Sequence, residues 1–149
     1  MAHYVTSLII PQPIEETFAF ISDFRNAPRW DPQTLEAYKV TDGPVGHGTS
    51  FLLVGTFLMN KLILPYEIVG YDPPRELTLF GQTNTLTYRD RIEFAPTGKQ
   101  TQLTYNAQLD FKSILKLANP VLQLVFQRIG DRATRGMPRA VAEGTTAVS

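Results

Sequence analysis

From Leu35 to Phe111 the chain is cut at short, regular intervals by turn-forming residues, and nothing else in it constrains the fold as tightly. The cuts fall at Asp42-Gly43-Pro44 and Gly46-His47-Gly48, at Met59-Asn60, at Asp72-Pro73-Pro74, between Gly81 and Asn84, and at Pro96-Thr97-Gly98. Glycine accepts the positive φ of tight turns and proline cannot donate to a sheet ladder, so each cluster ends a strand. The spacing predicts six strands over this stretch, and residues 3–10 add a seventh. Residues 101–111 alternate, with Leu103, Tyr105, Ala107, Leu109 and Phe111 on one face and Gln102, Thr104, Asn106, Gln108 and Asp110 on the other. Residues 86–94 do the same, setting Leu86, Tyr88, Asp90, Ile92 and Phe94 against Thr87, Arg89, Arg91 and Glu93. One apolar and one wet face is the pattern of an antiparallel sheet that covers a helix.

Helices flank this block. Pro11 and Pro13 break the first strand, and Ile14, Phe18 and Ile21 then recur at helical spacing through 14–22. Asp23 to Pro32 reads as a loop or a second short helix, with Asp23 tying it down. Asn119-Pro120 starts the last helix, since Asn caps and Pro at the first position loses no needed N–H. Leu122, Phe126, Ile129, Ala133 and Met137 then follow one face. Pro138 should kink or end this helix near Met137. Gly130 and Gly136 lower helix propensity, which points to close approach by the sheet or to room for a ligand. The expectation is an α+β fold of one domain over residues 1–143, with a disordered tail over 144–149.

Composition removes several functions. There is no cysteine, so a disulfide framework, a zinc-thiolate site and a Cys nucleophile are excluded. Fourteen basic residues balance fourteen acidic ones, which argues against nonspecific nucleic-acid or acidic-membrane binding. No stretch reaches transmembrane length, and the start has no basic n-region of a signal peptide, so a cytoplasmic location without stable membrane insertion is expected. The two histidines, His3 and His47, lie in different segments, and His47 sits between glycines as a solvated turn residue would. No metal site and no cofactor are expected.

The segment Ile10-Pro-Gln-Pro-Ile-Glu-Glu-Thr-Phe-Ala-Phe-Ile-Ser-Asp23, with Asn26 and Trp30, resembles the opening of the START-like helix-grip superfamily (SRPBCC). Within it the chain is most similar to the polyketide cyclase/dehydrase and lipid-transport group, which the patterns Glu67-Ile-Val-Gly-Tyr-Asp-Pro-Pro-Arg75 and Tyr105-Asn-Ala also match. The resemblance spans about residues 3 to 142. It implies a seven-stranded antiparallel sheet wrapped around a long C-terminal helix, with two short helices after strand 1 and a cavity for an apolar ligand. It does not choose between a carrier of a lipid, polyketide or aromatic compound and a cyclase/dehydratase-type enzyme.

Within that frame particular residues stand out. Asp90 shares its face with Leu86, Tyr88, Ile92 and Phe94, so its carboxyl should be desolvated, its pKa raised, and its proton available for acid–base work. A bulge at Arg89-Asp90-Arg91 would instead flip it outward. Tyr66, Tyr88 and Tyr105 lie within strands, where a phenol can meet a ligand carbonyl or simply fill the core. Tyr88, Asp90 and Tyr105 are thus the candidate catalytic groups. Ala107, Leu122, Phe126 and Ile129 join them as candidate ligand contacts. Trp30, the lone tryptophan, reads as a core anchor or a cavity wall. Phe51 to Met59 is apolar on both faces, so parity does not choose its inner side. Arg128, Arg132, Arg135 and Arg139 form a stripe that reads as a solvated helix face, or else as an anion site. The apolar stretch 114–126 reads as enclosed or as facing a cavity mouth or partner. The expected partner is a small hydrophobic molecule, bound by a monomer or homodimer.

Overall fold

The computed structural model describes residues 2–57, 59–112 and 119–146. β1 (Ala2–Ile10) is followed by α1 (Ile14–Ser22), a 3-10 turn over Phe24–Asn26 and the single turn α2 (Ala27–Trp30). Then come β2 (Thr34–Lys39), β3 (Ser50–Phe57), β4 (Asn60–Asp72), β5 (Glu76–Gln82), β6 (Leu86–Thr97) and β7 (Gln100–Phe111), and finally α3 (Asn119–Thr146). Every turn cluster read from the sequence separates two strands. The strands form a seven-stranded sheet in the order β1-β7-β6-β5-β4-β3-β2, and each neighbouring pair is antiparallel.

The period-2 reading holds on β6 and β7. Leu103, Tyr105 and Ala107 are buried while Gln102 is exposed, and Leu86, Tyr88, Ile92 and Phe94 are buried while Arg89, Arg91 and Glu93 are exposed. β6 pairs with β5 and β7 without a register shift, so no bulge displaces Asp90. Register shifts occur instead at Thr34/Glu36 and Ile68/Gly70. On β3, where parity was ambiguous, Phe51, Leu53 and Gly55 face inward.

α3 crosses Pro138 and continues to Thr146, so the proline does not end it. Proline removes one helical bond, but the turns on both sides bury Ala133, Met137, Ala140 and Val141. That burial outweighs the local propensity, at about 1.5–3 kcal/mol for each large side chain. The helix takes in Gly144 to Thr146; residues 147–149 lie outside the described residues, as do 114–118 of the apolar stretch. Two helix glycines answer to close approach. A Cβ at Gly136 would stand 2.5 Å from the carbonyl oxygen of Trp30, and one at Gly130 would stand 2.7 Å from the Tyr4 ring.

The start of the chain is clasped to its end. Gln123 accepts from the backbone N–H of His3 at 2.8 Å and donates to the His3 carbonyl at 2.5 Å, and Gln127 donates to the same carbonyl at 3.1 Å. The Tyr4 hydroxyl donates to Asp131 at 2.8 Å and lies 3.1 Å from the Thr134 hydroxyl. At His3 the edge strand β1 thereby finds partners on α3 for backbone groups that it turns away from β7. Arg128, Arg132, Arg135 and Arg139 are exposed, and Arg139 pairs with Glu143 one turn on. The stripe is a solvated face.

Candidate functional site

Between sheet and helix lies a cavity of about 160 Å³. Small residues leave it open: Ala27, Ala107 and Ala133 line it, as do Gly55 and Gly130, where a Cβ would crowd Gln33 and Tyr4. Its walls are mostly apolar or aromatic, with Asp31, Asp90 and several Thr and Gln side chains among them. The half-buried Leu62, Leu109, Phe126 and Ile129 line it toward the end of the sheet where β3 turns into β4. A void of roughly 150 Å³ lined by apolar side chains takes up benzene, so the space suits a molecule of about one ring.

Asp90 is buried on the inner face of β6 and lines this cavity, opposite Ala107 on β7 and Leu79 on β5. The Tyr105 hydroxyl donates to its Oδ2 at 2.5 Å. Among the described residues its Oδ1 has no hydrogen-bond partner. Desolvation pushes its pKa up from 3.8 to about 6; the Tyr105 bond pulls it down, and the nearby charge of Asp31 pushes it further up. Burial and the Asp90 charge raise the Tyr105 phenol well above its ordinary value, so it stays a donor.

Tyr88 also lines the cavity, but its hydroxyl is already committed. It donates to the Pro65 carbonyl across the sheet at 2.5 Å. Gly81 makes this possible, since a Cβ there would run into both that carbonyl oxygen and the Tyr88 ring. Burial and then the Asp90 charge raise the Tyr88 pKa. Tyr66, half-buried on β4, stacks against Tyr88 at 4.8 Å between ring centroids and also lines the cavity. Ala107, Phe126 and Ile129 line it too; Leu122 lies on α3, but its side chain is outside the described residues.

Trp30 serves both roles weighed for it. It packs edge-on against Phe24 at 5.9 Å and Tyr105 at 6.2 Å, which anchors α2 to the sheet, and it forms part of the cavity wall. Its indole Nε1–H is buried without a hydrogen-bond partner among the described residues. Leaving such a group unpaired costs about 1–3 kcal/mol.

Sequence reading passed over Asp31. It follows Trp30 in the connection to β2 and lines the same cavity. Its Oδ1 accepts from the Gln33 N–H at 2.9 Å and its Oδ2 from the Thr34 hydroxyl at 2.8 Å. Burial raises its pKa, while these two bonds oppose the rise. The available signal was the acid next to the lone tryptophan, Trp30-Asp31-Pro32, where an Asx turn is favoured. Among the described residues no Lys, Arg or His lines the cavity, and no group of three acidic or histidine side chains is placed to hold a metal.

The seven-stranded sheet gripping α3, with an aromatic-lined space between them, is a helix-grip fold. The family model for polyketide cyclase / dehydrase and lipid transport matches residues 1–142, and the chain belongs to that family. Among solved structures it is similar to TTHA0849 from Thermus thermophilus, at 16% identity and a TM-score of 0.82, over 95% of this chain and 98% of that one. A START superfamily protein from Mycobacterium smegmatis gives 12% identity and a TM-score of 0.82, over 96% and 99% of the two chains. The Zhui aromatase/cyclase from Streptomyces sp. R1128 gives 12% and 0.75, over 99% and 95%. At these identities the likeness is one of fold. No curated protein matches the chain. Among the described residues no helix is long and apolar enough to cross a membrane.

Proposed function

We propose that the protein binds or carries a small, largely apolar molecule of about one ring in the cavity between sheet and α3. The observation that carries this reading is the cavity of about 160 Å³ between sheet and helix, walled mostly by apolar and aromatic side chains. The family to which the chain belongs supports it, since lipid transport is among the activities in that family's description. A cavity of this size favours a compact ligand over a long acyl chain. The test is binding of indole, which is neutral and ring-sized, measured by calorimetry together with native mass spectrometry of protein purified without detergent. One saturable site is expected, and Ala107→Trp, which fills the cavity opposite Asp90, should abolish it while near-ultraviolet circular dichroism stays native. A protein that takes up no such molecule removes the reading.

A second reading is favoured by Asp90, whose carboxyl has a pKa of about 6 beside a phenol donor. An acid or base poised near the working pH is what proton transfer in a cyclisation or dehydration needs. The structural likeness to an aromatase/cyclase agrees with this reading. Under it, Asp90→Asn abolishes turnover and leaves ligand binding in place.

A further inference from the structure

We propose that the cavity selects a small organic cation, a protonated amine carried on a ring-sized apolar body. This rests on the reading that the cavity binds a ligand and adds the charge of that ligand.

Two carboxyl groups, Asp90 from β6 and Asp31 from the α2–β2 connection, line one apolar space. A buried carboxylate is stable when a counter-charge or several donors meet it. The protein supplies donors, with Tyr105 to Asp90 and Gln33 and Thr34 to Asp31, but among the described residues it supplies no cation to either. The ion pairs of the described residues all lie elsewhere, among surface side chains such as Arg91 with Glu76 and Arg139 with Glu143. Among the described residues, then, no cation meets either carboxyl group.

The walls match the same charge. Trp30, Tyr66, Tyr88 and Tyr105 all line the cavity, and the faces of such rings attract cations. Two further groups are left open by the protein. Asp90 Oδ1 has no partner among the described residues, and it can accept from an ammonium N–H. The Trp30 indole N–H, on a residue only 4% exposed, has no acceptor among the described residues. A carboxylate ligand would meet two like charges and no cation. Such a ligand is rejected on electrostatic grounds.

The experiment compares three molecules of one skeleton on the full chain at pH 8, by calorimetry: 2-phenylethylamine, 2-phenylethanol and phenylacetate. The amine should bind at least about tenfold more tightly than the alcohol, and phenylacetate most weakly of all. Asp90→Asn should remove most of the amine's preference over the alcohol. Asp31→Asn should weaken the amine in the same direction, and carries the test if the first variant does not fold. Equal or tighter binding of the alcohol or of phenylacetate overturns the charge assignment while the cavity reading stands. So does an amine preference that survives both substitutions. Binding of none of the three overturns both.

Discussion

Replacing Asp90 by Asn should stabilise the protein at neutral and alkaline pH, although it removes a charge that accepts a hydrogen bond. Asp90 has a folded pKa of about 6 against 3.8 in the free side chain, with burial as the leading cause. The unfolded chain therefore releases this proton first. Below pH 3.8 both states hold the proton and the group is neutral toward folding. As pH rises from there the folded state is penalised, and the penalty levels off above the folded pKa. Integrated between the two values it is about 1–2 kcal/mol at pH 5 and about 3 kcal/mol at pH 8. Asn keeps the shape and can still accept from Tyr105, so most of this should be recovered. Asp31, Tyr66, Tyr88 and Tyr105 face Asp90 electrostatically from the α2–β2 connection, β4, its own strand and β7. Removing its charge also eases the ionisation of Asp31. Urea unfolding of parent and variant at pH 5 and pH 8 measures the effect, and an unchanged m-value shows that the denatured state is the same. The variant should gain about 1–1.5 kcal/mol more at pH 8 than at pH 5. A variant no more stable than the parent at pH 8, or one whose advantage ignores pH, refutes the buried-carboxylate argument.

Tyr105→Phe removes the donor that holds the Asp90 pKa down, so that pKa should rise above its present value of about 6. A carboxyl ¹³C titration by NMR reads it, and a pKa that falls would contradict the assignment. Gly136→Ala sets a Cβ 2.5 Å from the Trp30 carbonyl, which is backbone and cannot swing away. The strain of separating α3 from α2 should cost about 1–3 kcal/mol, read as a lower urea midpoint; an unchanged midpoint would mean that α2 yields freely.

The elements legible in the sequence were those fixed by local rules. Strand alternation placed Asp90 on the inner face because period 2 leaves a residue only two sides, and the ladder on both flanks of β6 is regular. Trp30 and Asp31 were harder, because what makes them a site is contact with strands far along the chain. No spacing rule encodes the packing of Trp30 on Tyr105. Tyr88 looked available until its phenol met the Pro65 carbonyl, a reach opened by the missing side chain of Gly81. Pro138 shows the opposite limit. Its local preference to end a helix is real, and the burial of Met137, Ala140 and Val141 overrides it.

The clasp of β1 onto β7 and α3 also sets an order of events during synthesis. Ala2 pairs with Leu109 and Ile10 with Thr101, while His3 is held by Gln123 and Gln127. β1 thus has no sheet partner until β7, about a hundred residues later in the chain, has been made. During that interval β1 exposes Val5 and Ile9 on one side and its future core residues Ala2, Tyr4 and Ile10 on the other. Closing so long a loop is slow, and an unpaired strand edge is prone to wrong association while it waits. Strands β2 to β6 each pair with the strand that follows, so β2 to β7 can pair as they emerge, whereas β1 and α3 must wait to close the sheet.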